Sequence, residues 1–568
     1  MASVTEEAEL GTCAEEMLWL LGAHGVEVLF LNPGTDSAPL QEAAAVLASR
    51  RISSPRIVLC SFESVALAAA HGYFQVTRRP QAVFVHVDVG TQNLGAMVHN
   101  VLRDRAGVVI VAGKTPYGEA FDDVGGRSSP INWQQDVADQ AGIVRPYAKW
   151  TTELTRSEDT ARVVGRATQV ACGGIPGLSY LTVSRDVLME PAGDAQRRRL
   201  SGWARPAAGG LSPTSVARIA DILLRAERPL LITTRIGRTV SGSKALTRLA
   251  DVAVLPVVGR PEAVNLPGGH PLWRRDPTEV AALIRSADAV LLVEVDVPWI
   301  PKGTTPPADA IIIHIDPDPI KIEMPLWTFP VDESATADGA TALAQIADAF
   351  ATRAEAADVA KRRRAHLGFV AALPRPMPAA TLEPDAVVST LNAQLRGDDI
   401  VVEEAVSNSG SIGRLLDRHQ PGTLHSAGGP GLGWALGASV GIKLAAPARR
   451  VVAVVGDGAF MFGVPTAAFC LAAEANAPFL TVILNNNGYR ASRLPVLELF
   501  PVGESVSSGS VIGTRFAAPP DLAAVARACG AWAQRVEDAQ YLAGTLREAF
   551  VALAAGRCAV VDVSISQT

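Results

Sequence analysis

The apolar positions of this chain fall into short unbroken runs separated by longer amphipathic stretches. Val451-Val452-Ala453-Val454-Val455 and Phe479-Leu480-Thr481-Val482-Ile483-Leu484 carry almost no polar alternation, so they read as strands buried on both faces of a parallel sheet. Ile57–Cys60, Ala82–Val87, Val108–Val111, Pro229–Thr233, Val290–Val293 and Ile311–Ile315 repeat the pattern. Between them lie helix-like stretches such as Ala14–Gly25 and the alanine-rich Glu63–Gln75. Strand and helix alternating three times over predict an α/β protein of three doubly wound parallel-sheet domains. Two basic stretches mark the joints: Ala192–Arg205, with Arg197-Arg198-Arg199, and Ala354–Pro384, with Arg362-Arg363-Arg364 and four prolines. Both read as solvated linkers and divide the chain into 1–191, 206–352 and 380–568.

A length of 568 residues agrees with several cores rather than one. The net charge of −6 gives no electrostatic reason to expect nucleic acid or an anionic membrane as partner. The most apolar long stretch, Ala467–Leu484, is broken by Glu474, Asn476 and Pro478, so no membrane span is expected. Met1-Ala2-Ser3-Val4-Thr5-Glu6-Glu7 lacks the basic and apolar regions of a signal peptide. The six cysteines (Cys13, Cys60, Cys172, Cys470, Cys529, Cys558) have no metal or redox spacing, and most read as inert core residues of a cytoplasmic protein.

The chemistry begins where two strands end. Gly456-Asp457-Gly458 follows one apolar run and Asn485-Asn486-Asn487 the next, so both clusters stand at the carboxyl ends of parallel strands, where open α/β sheets place ligands. Magnesium takes hard oxygen ligands and draws only one or two from side chains when phosphates supply the rest. One carboxylate and one amide oxygen meet that demand, and glycines flanking Asp457 let backbone N–H groups approach a diphosphate.

The segment Gly456–Asn486 resembles the signature of thiamine diphosphate enzymes, and the resemblance runs over nearly the whole chain, towards the acetolactate synthase-like and benzoylformate decarboxylase-like branch. It implies a pyrimidine-binding, a central and a diphosphate-binding domain. It also implies that Asp457, Asn486 and the carbonyl of Gly488 hold magnesium, with Gly458 and Ala459 on the diphosphate. The third asparagine leaves the register open by one residue; Asn486 is preferred because Tyr489 then falls where the family has an aromatic residue.

Glu63 follows a strand and opens a helix. A glutamate there serves either the helix macrodipole or, in the position of the family's relay glutamate, a proton relay to the cofactor. His86 stands at a strand end where synthases carry a turn and benzoylformate decarboxylase a histidine. It is either a satisfied strand-end residue or the acid that protonates an enamine carbanion. Thr35, in Asn32-Pro33-Gly34-Thr35-Asp36, matches a serine near the substrate carboxylate or is an ordinary turn residue, and Gln134 matches a glutamine near the cofactor. Gly431 and Leu432, in a glycine-rich turn, match the loop whose apolar residue wedges beneath the bent cofactor, and Val406 matches a backbone contact to it.

In the central domain, Thr234 and Arg235 stand where flavin-binding relatives have glycines, which argues against bound FAD; Arg235 and Arg238 read either as exposed loop residues or as a grip for an anionic group. Trp299 is a candidate border of a neighbouring subunit's pocket. The resemblance implies a lyase that decarboxylates a small-molecule 2-oxo acid to an aldehyde, or adds the enamine to an acceptor aldehyde to give a 2-hydroxyketone. It also implies a homodimer or homotetramer with active sites at the subunit interface. Alternatives are an acetolactate synthase-type ligase, a flavin-linked oxidase and a non-catalytic regulatory subunit.

Overall fold

The computed structural model describes residues 10–193, 206–260, 262–355, 358–362 and 382–566. The Met1–Glu7 start, linker residues 194–205 and most of the second linker, with Arg363 and Arg364, lie outside the described residues.

Three six-stranded parallel sheets follow one another along the chain. The first contains β1 (Val28–Leu31), β2 (Arg56–Leu59), β3 (Gln81–Val85), β4 (Val108–Lys114), β5 (Ala148–Leu154) and β6 (Leu178–Ser184), in spatial order β2-β1-β3-β4-β6-β5. The second contains β7 (Pro229–Thr233), β8 (Val257–Val258), β9 (Trp273–Arg274), β10 (Ala289–Val293), β11 (Ile311–Asp316) and β12 (Glu333–Thr336), in order β12-β11-β10-β7-β8-β9. The third contains β13 (Ile400–Glu404), β14 (Leu424–Ser426), β15 (Val451–Gly456), β16 (Leu480–Asn485), β17 (Trp532–Val536) and β18 (Ala559–Ser564), in order β14-β13-β15-β16-β18-β17. The apolar runs chose their state for the expected reason: β3, β7, β10, β13 and β16 are buried at every position. One boundary differs. The strand expected to reach Val87 stops at Val85, and His86 caps a helix, Val87–Asn93.

The chain groups into two compact units, one of Met1–Pro206, Ala427–Arg535 and Glu548–Asp562, the other of Ala207–Ser426, Val536–Arg547 and Val563–Thr568. In the first unit the helix Glu63–Thr77 packs against the helix Trp434–Ala445. Both are rich in alanine and glycine and buried on nearly all sides, and the small residues let the backbones meet. A Cβ on Gly441 would stand 1.9 Å from the carbonyl oxygen of Ala69, one on Gly72 2.4 Å from that of Ala438, and one on Gly437 2.7 Å from that of Val65. At their junction Trp434 Nε1 donates to His71 Nδ1 (3.0 Å), while His71 Nε2 and Gln75 Nε2 both reach Asp104 Oδ2 (2.7 and 2.9 Å).

In the second unit the carboxyl ends of β7, β10 and β11 are filled by charges of the chain itself. Arg235 is buried, not exposed as expected, and its Nη2 lies 2.5 Å from Asp296 Oδ2. Lys321 Nζ bridges Asp296 Oδ1 (2.9 Å) and Asp316 Oδ2 (2.6 Å). Arg238 is nearly as enclosed, 3.8 Å from Glu262. Paired charges are what a buried guanidinium and ammonium require. Trp299 is not at a pocket border either; it is buried in the apolar cluster under this sheet, edge-on to Phe329.

Cys13 and Cys60 are buried, Cys172, Cys529 and Cys558 are partly buried and Cys470 is exposed, so fewer cysteines belong to the core than their neighbours suggested. Burial still pushes the thiols of Cys13 and Cys558 up, to about 12 and about 11. No helix among the described residues is long and apolar enough to cross a membrane.

Gly441→Ala places a methyl group against the Ala69 carbonyl, where only backbone shift can relieve it. A loss of about 1–3 kcal/mol, the usual scale of overpacking, is expected. A thermal midpoint equal to wild type in a melting experiment would show that these backbones are not in contact.

Candidate active site

Two clusters of the sequence-predicted residues form in the first unit. The first stands at the carboxyl edge of the first sheet. Glu63 is the first residue of its helix and is buried; its Oε2 accepts from Asn93 Nδ2 (3.2 Å), and its Oε1 lies where a Cβ on Gly90 would come within 3.1 Å. His86 Nδ1 lies 2.5 Å from Asp36 Oδ1, and Asp36 Oδ2 accepts from Val87 N (3.4 Å). Val87 has φ +33°, unusual for a β-branched residue. The hydrogen bond to Asp36 holds the His86 pKa above its ordinary value against the lowering effect of burial, and the charges of Asp36, Asp88 and Glu63 add to it. His86 Nε2 has no partner among the described residues, and the side chain keeps 21% of its exposure.

Thr35 is exposed, its carbonyl accepting from Arg185 Nη1 (3.4 Å), and it lines a cavity of about 810 Å³ with Glu42, Arg127 and Arg185. Gln134 ends the short helix Ile131–Gln134 and is exposed. Its neighbour Gln135 is buried, with neither amide atom hydrogen-bonded among the described residues.

The second cluster stands at the carboxyl edge of the third sheet. Asp457, Gly458 and Ala459 form the buried first turn of the helix Asp457–Phe462. Asp457 Oδ2 accepts from Gly488 N (2.8 Å), and the other bonds to this carboxylate also come from backbone N–H groups. No cation among the described residues offsets it. Burial therefore pushes its carboxyl up to about 6 despite those bonds, with Asp562 raising it further. The asparagines divide their work. Asn485 donates from Nδ2 to Asp562 (2.9 Å) and accepts from Asn487 N (3.0 Å), and Asn487 takes φ +58°. Asn486 is buried without a hydrogen bond from its side chain among the described residues. A Cβ on Gly458 would meet the Tyr489 ring at 2.8 Å, so this glycine admits the aromatic residue, while one on Gly456 would meet nothing within 4 Å.

Asn100, fully buried, clamps Gly431 from both sides: its Nδ2 donates to Gly431 O (2.8 Å) and its Oδ1 accepts from Gly431 N (2.9 Å). Leu432 follows, half-buried. Val406 belongs to the second unit, exposed and at φ +40°.

The residues present suit thiamine diphosphate with magnesium. Asp457 is a buried carboxylate lacking a cation, Asn486 an unengaged amide, and Gly456 opens onto free space. Among the described residues no cluster of three His, Cys, Asp or Glu side chains forms a complete metal cage, so a magnesium ion here needs diphosphate oxygens, as its chemistry prefers. Sequence reasoning missed Asp36, Asn93, Asn100 and Gln135. Asp36 alone gave a signal, as a carboxylate in a strand-to-helix turn at a sheet's carboxyl edge.

Comparison with known proteins gives three matches along the chain: thiamine pyrophosphate enzyme, N-terminal TPP binding domain, over residues 12–143; central domain, over 216–346; and C-terminal TPP binding domain, over 406–563. Benzoylformate decarboxylase of Pseudomonas aeruginosa is 26% identical, over 96% of this chain and 97% of its own. Acetolactate synthase of Bacillus subtilis is 23% identical, over 94% and 90%. Among solved structures, the thiamine diphosphate-dependent 4-hydroxybenzoylformate decarboxylase of Rhodococcus jostii shares the fold with a TM-score of 0.80 at 23% identity, covering 98% of this chain and 100% of that one.

Asp457→Ala removes the one carboxylate at the end of β15 and is expected to abolish magnesium-dependent binding of thiamine diphosphate with the fold intact. Calorimetry reads it directly: wild-type affinity in the variant would place the metal elsewhere.

Proposed function

The chain belongs to the thiamine pyrophosphate enzymes, and from that premise we propose that it is a magnesium-dependent 2-oxo acid decarboxylase that releases an aldehyde or joins the same carbon to an acceptor aldehyde. The observation that carries this reading is His86, held at Nδ1 and open at Nε2, on the sheet edge that also carries Glu63. The relatives named as decarboxylase and synthase differ in the fate of the carbon left after carbon dioxide departs, and a proton donor favours release.

When bound, the cofactor supplies the nucleophilic carbon and the electron sink that decarboxylation needs. Asp457, Asn486 and the Gly488 carbonyl would hold its magnesium, Gly458 and Ala459 its diphosphate, and Leu432, on a loop fixed by Asn100, its bend. Glu63, buried at the start of its helix, would hold and return the proton that the aminopyrimidine exchanges. Thr35, in the turn after β1, would meet the substrate carboxylate, and Gln134 would lie near the cofactor. The bond between C1 and C2 of the acid breaks, its electron pair stays on C2, and His86 Nε2 delivers the proton that completes the aldehyde. The flavin-linked alternative is less well supported, because Arg235, Asp296, Lys321 and Asp316 fill the central sheet's carboxyl edge.

No hydrogen bond among the described residues joins Glu63 or His86 to Asp457 or Asn486, and in the proposed assembly a second copy completes each site. The enzyme is then at least a dimer. Light scattering at assay concentration checks this, and an active monomer would exclude it.

Glu63→Gln and His86→Ala separate the two proton carriers. Glu63→Gln is expected to keep cofactor affinity and lower turnover by at least about 100-fold at every step. His86→Ala slows aldehyde release by roughly 100- to 10,000-fold and raises the share of 2-hydroxyketone when an acceptor aldehyde is present. Product analysis with a panel of 2-oxo acids, with rapid quench, reads both. Equal rates and product ratios in wild type and His86→Ala would return His86 to a structural role.

A further inference from the structure

The Asp36–His86 pair is built with more care than a chance contact between a turn and a strand end. Asp36 comes from the loop between β1 and the helix Ala38–Ser49, His86 from the end of β3, and each is admitted by a glycine. A Cβ on Gly34 would stand 2.1 Å from His86 Nδ1, and a Cβ on Gly113, in β4, would stand 1.2 Å from Asp36 Oδ2. Any side chain at either position would drive the two groups apart. The second carboxylate oxygen is also committed, to the N–H of Val87. Asp36 is 2% exposed and has no other partner among the described residues.

A second Asp–His pair in the same unit serves as a contrast. His71 also meets a buried aspartate, Asp104, but Trp434 Nε1 donates to its other nitrogen, so both ring positions are spent inside the core. At His86 only Nδ1 is spent.

Resting on the reading of His86 as proton donor, we propose that Asp36 is its positioning residue: the carboxylate grips Nδ1–H, fixes the ring plane, and leaves Nε2 to carry the proton that the reaction uses. The charged groups that act on His86 are Asp36 from the β1 loop, Asp88 from the helix His86 caps, and Glu63 from the helix beginning at that residue. All three are acidic, and Asp36, by its direct hydrogen bond, acts most strongly. Removal of its charge moves the imidazolium's titration to lower pH. Below that point the variant still holds a protonated donor; above it the donor is lost, so the alkaline limb of the aldehyde-release profile moves down.

The test uses the full chain with thiamine diphosphate and magnesium, comparing wild type, Asp36→Asn, Asp36→Glu and His86→Ala. The His86 ring is followed by NMR in protein labelled with ¹³C at histidine Cε1, its signal assigned by loss in His86→Ala. Asp36→Asn is expected to lower the His86 titration midpoint by about 1 unit or more, the scale of losing an adjacent opposite charge. The alkaline limb of aldehyde release should fall by the same amount, with cofactor affinity unchanged. Asp36→Glu should restore part of both. An unmoved midpoint, or a moved midpoint with an unmoved rate profile, overturns the role of Asp36. Wild-type aldehyde release by His86→Ala instead overturns the reading of His86 on which it rests, so the two failures are told apart.

Discussion

Direct backbone contact between two helices is the constraint on which the rest of the first unit depends. Where Gly72, Gly437 and Gly441 meet carbonyl oxygens, no side chain separates the helix Glu63–Thr77 from the helix Trp434–Ala445. Each helix begins with a piece of the candidate site: Glu63 opens the first, and the Gly431–Leu432 turn leads into the second. Helices spaced by leucines could slide and repack with little penalty. Helices in backbone contact have one register, which carries over to the residues at their starts. The His71–Trp434–Asp104 hydrogen bonds add a polar lock that fits that register.

The strands and their carboxyl-end clusters were legible because both are local. Continuous β-branched runs such as Val451–Val455 favour central strands, and a Gly-Asp-Gly directly after one then falls at the sheet's carboxyl edge. The register within Asn485–Asn487 was not legible, since it depends on Asp562, a residue distant in sequence that engages Asn485. Arg235 failed for the same reason: its neighbours in sequence suggested a loop in solvent, while Asp296, from beyond β10, supplied the counter-charge that permits burial. Gly458 was assigned to diphosphate approach alone, and the nearness of the Tyr489 ring is a second reason for it. His86 was recognised by position, but its partner could not be, because nothing in the turn Asn32–Asp36 reveals that β4 will pass beneath it carrying a glycine.

Asp457 and His86 set opposite electrostatic problems. Asp457 is a buried carboxylate with no counter-charge among the described residues, which raises its affinity for protons and, in their place, for a divalent cation. His86 is surrounded by more acidic groups than its own charge can offset. Carboxylate placement thus raises the proton affinity of both groups, through burial without a counter-charge at Asp457 and through neighbouring acids at His86.

The glycines at 34 and 113 have a further consequence for how such a protein changes over generations. Gly34 is tolerated as glycine because of His86, and Gly113 because of Asp36, so neither can gain a side chain while the pair remains. Nor does loss of either acid or imidazole leave the others neutral, since the space and the charge were fitted together. The effects of substitutions at 34, 36, 86 and 113 are therefore strongly non-additive. A change at 36 or 86 frees the space beside 113 or 34, so what those two positions can accept depends on whether the pair is present.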